Sequence, residues 1–463
     1  MDGYSDTVAD DGGARRAPRV VTLLGLAWPI VISRASQVII GVTDVVMLAG
    51  LGSAAIAAAA TGAFNAFSVM VLPFGVVFIV SSFASQLFGR GDLRGARRYG
   101  FYGLGVALAA QLAATAAWPL IDPALARLPY EADVRVLMSS YLRWRLLSCG
   151  AAVGIEALGN YYGGLGNTRL PMLASVGAMT LNVGLNWVLI FGHLGAPPMG
   201  VRGAALANSL ATTTAFAFLL ARFLADGRGH PSTLRQLRAG ELLRMLRFGI
   251  PSGVNWALEF FAFSFFVSVV VAGLGTTTLA ALNAVIQINS VSFMPAFGLA
   301  SAGAILVGQA IGAGATAEVP AIWRMTFRVA ALWQGLVGAA YVAIPGLLLL
   351  AFSPAGDAGE ALRHVGRSML MLSAGWQLFD SAATTLGETL RAAGDTSFMM
   401  WSRIAIAWAV FVPGALISVR VLRWGYLGAV FWLALYLALL ALVLYLRFKS
   451  NAWRRLQLTN NPQ

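Results

Sequence analysis

The stretch AGLGSAAIAA at residues 49–58 returns as AGLGTTTLAA at residues 272–281, 223 positions later. Carried on without a gap to residues 91 and 314, this register retains 11 identities in 43 positions. Chance in an Ala- and Gly-rich chain would give roughly 4. Pro29 and Pro251 recur 222 apart, and Gly-Asn-Thr at 166–168 returns as Gly-Asp-Thr at 394–396. The pattern predicts a duplicated chain with two similar lobes and a special surface between them.

The composition indicates an integral membrane protein. The chain is 58% hydrophobic and 11% charged, with a mean hydropathy of +0.75, whereas a soluble domain carries about 25% charged residues. Runs of roughly 20 apolar residues mark spanning helices, and an even number per repeat gives both halves the same orientation. We predict an all-α protein with twelve transmembrane helices, six per repeat: 20–46, 54–80, 99–119, 138–158, 170–191, 203–225, 246–272, 278–307, 325–352, 366–388, 398–419 and 426–446.

The positive charge follows membrane topology. The net charge is +13, and placing both termini in the cytoplasm puts 22 of the 32 Lys and Arg residues, Arg391 and Arg403 among them, on the cytoplasmic side and seven on the other. The positive-inside rule explains this split without a nucleic-acid partner. The predicted parts are a disordered cytoplasmic tail, an amino-terminal lobe, a cytoplasmic linker, a carboxy-terminal lobe and a second cytoplasmic tail, at 1–19, 20–225, 226–245, 246–448 and 449–463. In the linker, Ser232 and Thr233 could cap a short interfacial helix; a solvated basic loop is the equal alternative.

Several kinds of chemistry are absent from the sequence. A Walker loop needs Gly-Lys-Ser/Thr, and the only lysine, Lys449, follows Phe448. Three histidines and the single Cys149 cannot make a HExxH or Cys-rich zinc site, and we expect Cys149 to be a buried free thiol. We predict no cofactor, no certain metal site and no enzymatic activity. If the protein transports a solute, the energy must then come from an ion gradient or a partner.

Five acidic residues fall inside the predicted spans or near their ends. A charge at the middle of a bilayer costs about 2.5–3.5 kcal/mol, so such residues usually mark ion or substrate pathways. Glu156 and Glu388 lie near the cytoplasmic ends of spans 4 and 10, where snorkelling or loop pairing is the favoured interpretation. Asp44, Glu259 and Asp380 lie deeper, and for them we favour a functional role.

Amide side chains accompany these acids. Gln37 and Asp44 share a helix face two turns apart, and Asn182 and Asn186 are one turn apart in span 5. With Asn208 in span 6, their oxygens could complete a cation shell around Asp44 or set its protonation; packing between helices is the alternative. Asn283 and Gln287 share a face of span 8 and are candidates for lining the pathway. The repeat places Glu259 where the first half has Gln37.

These features, in this order, resemble the multidrug and toxin extrusion (MATE) family of secondary transporters over residues 20–450. The resemblance rests on the twin six-helix halves, the prolines in spans 1 and 7, and three runs: Leu-Ile-Phe-Gly at 189–192, Gly-Val-Arg-Gly-Ala-Ala at 200–205 and Leu-Arg-Ala-Ala-Gly-Asp-Thr at 390–396. It implies a V-shaped pair of lobes around a central cavity, exporting drugs in exchange for Na⁺ or H⁺. It implies an amino-lobe cation site at Asp44, Gln37, Asn182, Asn186 and Asn208.

The resemblance also implies a carboxy-lobe cation or substrate site at Glu259 and Asp380, with Trp376 beside it. The sequence departs from the family at Asn186, where some members carry a second carboxylate, and at Trp376, where some have Tyr. Arg34 in span 1 is unusual and is a candidate for lining the cavity. Because it lies one turn from Gln37, a pair between Arg34 and Glu259 is a hypothesis.

We therefore predict a monomeric antiporter of the inner membrane, coupled to H⁺ or Na⁺, that exports amphipathic organic molecules by alternating access. Its partners would be those small molecules and the lipid bilayer. A lipid-linked precursor flippase is the first alternative; it would more often have fourteen helices and a strongly basic cavity. An integral membrane transferase, which needs a metal-binding acid cluster or a catalytic histidine, and a passive channel are the others.

Overall fold

The computed structural model describes residues 20–127, 130–227, 236–353, 356–456 and 458–459. These residues are predominantly helical, as the composition predicts, and contain no strand. The first half contributes eight α-helices: α1 Val20–Leu48, α2 Ser53–Gly89, α3 Leu93–Ala116, α4 Ile121–Ala126, α5 Ala132–Leu146, α6 Cys149–Gly164, α7 Arg169–Phe191 and α8 Val201–Ala225. The second half contributes α9 Ala239–Phe265, α10 Thr276–Gly312, α11 Val319–Ala343, α12 Pro345–Leu350, α13 Asp357–Ala393, α14 Thr396–Ile404, α15 Val412–Arg420 and α16 Gly425–Lys449.

Every predicted span coincides with helical residues. Eight described helices are long and apolar enough to cross a membrane, and nine if α3 and α4, bent by 44°, count as one span. The fourth predicted span is divided into α5 and α6, where the Ser148 hydroxyl lies 3.0 Å from the Arg145 carbonyl and 3.1 Å from the Ser209 hydroxyl. Polar side chains also lower the hydropathy of α11 and α13. The count of twelve spans therefore stays a prediction.

The two repeated stretches have the same local geometry. Each ends a helix in a one-turn 3₁₀ segment, Ala49–Leu51 and Ala272–Leu274. A glycine with positive φ follows, Gly52 at 99° and Gly275 at 102°, and then a helix of 37 residues. Only glycine adopts that backbone readily. The similarity of the two hairpins agrees with the predicted parallel repeat.

The lobes meet along one half of α2 and of α10. All residues of α2 from Gly75 to Leu87 are buried, whereas those nearer Ser53 alternate between buried and exposed. A Cβ at Gly89 would overlap the Gln309 carbonyl, and a Cβ at Gly312 would overlap the Gln86 carbonyl. The repeat relates these two contacts to each other, so they are reciprocal. We call the end of the molecule that contains Gly89 and Gly312 the closed end.

Side-chain bonds reinforce the closed end. Gln86 donates to the Ala392 carbonyl at 2.8 Å, and Gln309 donates to the Gly164 carbonyl at 3.2 Å. The Ser82 hydroxyl adds a bond of 3.1 Å to the Arg391 carbonyl. Each of these bonds joins one half of the chain to the other, so opening this end must break them.

The segments outside the lobes differ in part from prediction. The interfacial helix at Ser232 and Thr233 falls outside the described residues, and α9 begins at Ala239, seven residues before the predicted span. Within the predicted carboxy-terminal tail at 449–463, two described residues pack against the amino lobe. Leu458 is 1% exposed and belongs to the amino-lobe core, and Thr459 accepts a bond of 2.7 Å from Arg90. Packing of the Leu458 side chain there buries apolar area that water would otherwise contact.

Candidate functional site

The amino-lobe site is a buried carboxylate among amides. Asp44, 7% exposed on α1, accepts a bond of 2.5 Å from Asn186 and one of 3.4 Å from Asn208. Asn186 also donates to Asn182 at 3.2 Å, and both asparagines are 0% exposed on α7. Four of the five predicted residues of this site therefore come together.

The fifth residue, Gln37, lies away from that carboxylate. It is exposed, and its side-chain oxygen lies 3.4 Å from the Arg34 guanidinium. The two-turn spacing from Asp44 puts it on the same helix face but about 10 Å along the axis, at a rise of about 1.5 Å per residue. Gln37 lines the same cavity as Asp44, which has a volume of about 1250 Å³ including the part open to solvent.

Two buried atoms of the amino-lobe site have no partner among the described residues, the Asn182 amide nitrogen and the Asn186 amide oxygen. A buried polar group without a partner costs about 1–3 kcal/mol. The unpaired oxygen lies on the residue that already holds Asp44. Carboxylate and amide oxygens are the ligands that small hard cations prefer, so the site has the donor set for such an ion or for a proton.

The carboxy-lobe site contains two acids and one base. Glu259 on α9 forms an ion pair with Arg403 on α14, and Tyr436 on α16 donates a bond of 3.4 Å to the same carboxylate. Asp380 on α13 accepts a bond of 2.8 Å from the fully buried Gln334 on α11. Glu259, Asp380 and Arg403 all line a central cavity of about 1580 Å³ including the part open to solvent.

Three predicted residues are not at this cavity. Trp376 is 8% exposed within the carboxy-lobe core and does not line it, because its side chain packs among apolar neighbours. Asn283 is exposed outside the cavities, and Gln287 lines a separate apolar groove between α10 and α11. Their face of α10 is directed away from the seam, which the one-turn spacing alone could not reveal.

Two arginines that line the central cavity pack against the same phenylalanine ring. Arg34 and Arg391 each lie 5.5 Å from the centre of the Phe78 ring, and Arg34 lies 5.7 Å from that of Phe297. Arg34 donates to both carboxylate oxygens of Glu156 at 2.8 and 3.1 Å. The hypothesis of an Arg34–Glu259 pair is therefore wrong, because Glu156 satisfies Arg34 and Arg403 satisfies Glu259.

Glu388 also lines the central cavity, beside these arginines. It is 7% exposed and forms an ion pair with Arg391, which in addition donates to the Phe78 carbonyl at 2.8 Å. The favoured interpretation of Glu156 and Glu388, as snorkelling or loop-paired side chains, does not hold, since each pairs with an arginine at the cavity. Arg391 and Arg403, which the charge count assigns to the cytoplasmic side, both line the central cavity.

Sequence reasoning missed several residues of the carboxy-lobe site and its wall. Arg403 carried a usable signal, because it falls inside the predicted span 398–419. The aromatic wall carried none, since an aromatic residue in a span is usually a packing residue. The wall is formed by Phe67, Trp256, Phe260, Phe293 and Phe297.

The comparisons with known proteins agree with this architecture. The MatE family model matches residues 29–188 and 251–416, one match in each half of the chain. This chain belongs to the MatE family. Its members are transporters, so the chain is a membrane transporter and not an enzyme, as the sequence predicted.

Curated relatives extend over nearly the whole chain. A probable multidrug resistance protein NorM of Mesorhizobium japonicum is 30% identical over 450 residues, covering 92% of this chain and 93% of its own. The corresponding protein of Bradyrhizobium diazoefficiens is 30% identical over 451 residues, covering 95% of each. These relatives and the apolar helices indicate a multi-pass protein of the inner membrane.

Solved structures show the same fold. A MOP superfamily transporter from Pyrococcus furiosus superposes with a TM-score of 0.84 at 20% identity, over 94% of this chain and 96% of that one. An outward-facing MATE transporter of the same superfamily gives 0.83 at 21% identity, with the same coverage. At such identities the likeness concerns the fold alone.

Proposed function

We propose that this chain exports amphipathic organic cations across the inner membrane in exchange for H⁺ or Na⁺, as a monomer with both termini in the cytoplasm. The names of its NorM relatives support drug export. One observation supports coupling to H⁺ or Na⁺. Asp44 is 7% exposed, is hydrogen-bonded by uncharged amides and lies at the wall of a cavity next to the seam between the lobes. No cofactor is needed, since an ion gradient supplies the energy.

The coupling follows from the cost of a buried charge. Binding a proton or Na⁺ at Asp44 neutralises a carboxylate that burial disfavours, and this allows α1 to repack against α7. Rocking of the lobes then breaks the bonds of the closed end and exposes the cavity to the other side. Exchange of one coupling ion for one monovalent organic cation moves no net charge, so the concentration gradient of the coupling ion drives it. A tenfold gradient of that ion supplies about 1.4 kcal/mol and supports about a tenfold gradient of substrate.

The cavity does not favour a lipid-linked precursor. Its lining contains three arginines, Arg34, Arg391 and Arg403, and three acids, Glu259, Asp380 and Glu388. A pyrophosphate group needs an excess of basic side chains, so this balance supports export of organic cations over flipping.

The test is transport by Asp44→Asn in proteoliposomes under separate Na⁺ and H⁺ gradients. We expect the wild type to move ethidium uphill with one of these gradients. Asp44→Asn should lose gradient-driven transport by about 100-fold or more, because a coupling charge is removed, while inserting and purifying normally. Glu360→Gln, which alters an acid whose side chain is 78% exposed, is the matched control and should retain full activity. Full activity in Asp44→Asn would contradict the proposal.

A further inference from the structure

The Glu259–Arg403 pair lies where a cationic ligand would bind. The Glu259 side chain is 40% exposed to the central cavity, whereas Arg403 is 17% exposed behind it. We propose that Arg403 acts as a built-in counter-cation: the positive group of a substrate displaces it from Glu259, and Arg403 then turns to Asp380. This inference rests on the proposed export of organic cations and names the residue that selects them by charge.

Arg403 is held more weakly than the other arginines of the cavity. Its only described bond goes to Glu259, and its Nε is buried without a partner. Arg34 bonds both oxygens of Glu156, and Arg391 bonds the Phe78 carbonyl as well as Glu388. An arginine has five N–H donors in a fixed fork. Moving the Arg403 guanidinium from its place therefore breaks fewer hydrogen bonds than moving either of the other two.

A second carboxylate is in place to receive Arg403. Asp380 lines the same cavity as Glu259 and Arg403. Its described partner is the neutral Gln334 amide, so its charge is not balanced by an ion pair. Transfer of the guanidinium from Glu259 to Asp380 keeps one ion pair at every stage, which avoids a buried, unpaired charge.

The helix that carries Arg403 supports such a movement. The α14 helix ends at Ile404, and the chain continues as a π-helix from Ala405 to Phe411. The π-helix is rare and frequently occurs at functional sites, where it alters the register of the following residues. Arg403 therefore lies two residues before a local change in helical winding.

The wall beside Glu259 fits an aromatic or amphipathic cation. Phe260 follows Glu259 in α9 and lies 4.9 Å from Phe64 and 5.2 Å from Phe67, measured between ring centres. Of these rings, Phe67 and Phe260 line the central cavity, and Phe67 is 38% exposed, so its surface is open to a ligand there. A cation over such rings gains about 0.5–2 kcal/mol.

The duplication shows that the charges are specific to the carboxy-terminal lobe. In the register that aligns Pro29 with Pro251, Gln37 is equivalent to Glu259. In the register that aligns the two Gly-Asn/Asp-Thr runs, Ser175 is equivalent to Arg403. Both equivalent positions are therefore uncharged in the amino lobe, where the Ser175 hydroxyl instead bonds the Ser33 hydroxyl at 3.0 Å. The same scaffold thus folds without an ion pair here, and the pair is not needed to hold these helices together.

The charge count sets the valence of the ligand. With Glu259 and Asp380 ionised and Arg403 positive, the carboxy-lobe site has a net charge of −1. A ligand with one positive charge brings that sum to zero, whereas a ligand with two leaves an excess of +1 in a cavity of low dielectric constant. The wild type should therefore prefer monovalent cations.

The experiment compares ethidium with propidium, which have the same ring system and carry one and two positive charges. Binding is titrated by fluorescence on the purified full-length protein without an ion gradient. The wild type should bind ethidium more tightly. Arg403→Gln brings the site to −2 and should raise the affinity for propidium relative to ethidium by about tenfold or more. Arg403→Lys should keep the wild-type ratio, and so should Arg420→Gln, which alters an exposed arginine at the end of α15.

The double variant Glu259→Gln/Arg403→Gln restores the net charge of −1 without leaving an unpaired partner, so it serves where Arg403→Gln fails to fold. We expect it to prefer ethidium, as the wild type does. An unchanged ratio in Arg403→Gln, or a propidium preference in the double variant, would overturn the inference. If the wild type bound neither dye, the proposed export of organic cations would fail; intact ethidium binding with a ratio insensitive to Arg403 would refute only the counter-cation.

Discussion

At the scale of single residues, burial decides what each charged group can do. Arg34 and Glu156 are 21% and 12% exposed and bond each other twice, so neither is left for a ligand. Glu259 is 40% exposed and is the accessible carboxylate of its pair. Residue type alone does not distinguish these acids, because both are glutamates in predicted spans.

The Arg34–Glu156 pair makes a testable prediction. Arg34→Gln or Glu156→Gln alone leaves a partly buried charge unpaired and should destabilise the protein by about 1–3 kcal/mol, less than the cost in a fully buried site. The double variant Arg34→Gln/Glu156→Gln should be more stable than either single variant. The order is measured by thermal unfolding of the purified variants, with the monodisperse fraction that remains after heating as the readout. Losses that add in the double variant would show that the two side chains act independently.

At the scale of helices, backbones approach closely where glycine permits it. A Cβ at Gly75 would lie 2.6 Å from the Gly253 Cα and 3.0 Å from the Ser252 carbonyl, so α2 and α9 touch through their main chains. The repeat places Gly298 in the same role on α10, but there the nearest atom is the Val31 Cγ2 at 2.6 Å. A side-chain methyl can move more easily than a backbone.

Gly75→Ala should therefore destabilise the protein more than Gly298→Ala, although the two positions are equivalent by the duplication. Overpacking of this kind costs about 1–3 kcal/mol, and we expect Gly75→Ala at the upper end and Gly298→Ala at the lower end. Gly41→Ala is the control, because nothing lies within 4 Å of its Cβ position. The measurement is the apparent melting temperature in one detergent. Equal losses at both sites would contradict the argument from backbone contact.

The helices also show where the two copies have diverged. In the register that aligns Pro29 with Pro251, Phe266 is equivalent to Asp44, and it begins a π-helix from Phe266 to Val271. Its ring is fully buried and lies 5.0 Å from that of Phe411, which ends the other π-helix. The carboxy lobe thus has an aromatic contact where the amino lobe has a carboxylate among amides. The predicted divergence between the copies extends from side chains to helical winding.

At the scale of the whole molecule, the closed end controls access to the cavity. Gln86 and Gln309 are related by the repeat and make equivalent bonds across the seam, and the Leu458 side chain packs near Gly394 at the same end. Rocking of the lobes must separate all of these contacts together. Their summed strength sets the population that is open at this end.

Gln86→Ala/Gln309→Ala should increase that open population. Each net hydrogen bond contributes about 0.5–1.5 kcal/mol, so losing two should raise opening about fivefold or more by the relation of 1.4 kcal/mol per factor of ten. The readout is the rate of maleimide labelling at Ser81→Cys, a position 7% exposed, after Cys149 is replaced by Ser. Glu360→Cys, at a side chain that is 78% exposed, is the control and should react equally in both backgrounds. An unchanged rate at position 81 would show that other contacts hold this end.

Much of this protein was predictable from the sequence because it depends on local or compositional physics. The apolar runs predict helices because backbone groups in lipid must bond within their own segment. The repeated Gly52 and Gly275 predict equivalent turns, since only glycine adopts their backbone conformation readily. The spacing of Asn182 and Asn186 places both on the face that meets Asp44. All three depend on residues close together in the chain or on the register of the repeat.

Tertiary structure alone decided which charges meet. Arg403 and Glu259 are 144 residues apart, and Arg34 and Glu156 are 122 apart, so no helical period relates them. Asn283 and Gln287 have the spacing of a lining face, yet the rotation of α10 about its axis directs that face away from the cavity. Pairing and rotation depend on how helices pack against one another, and the sequence of a single helix does not contain that information.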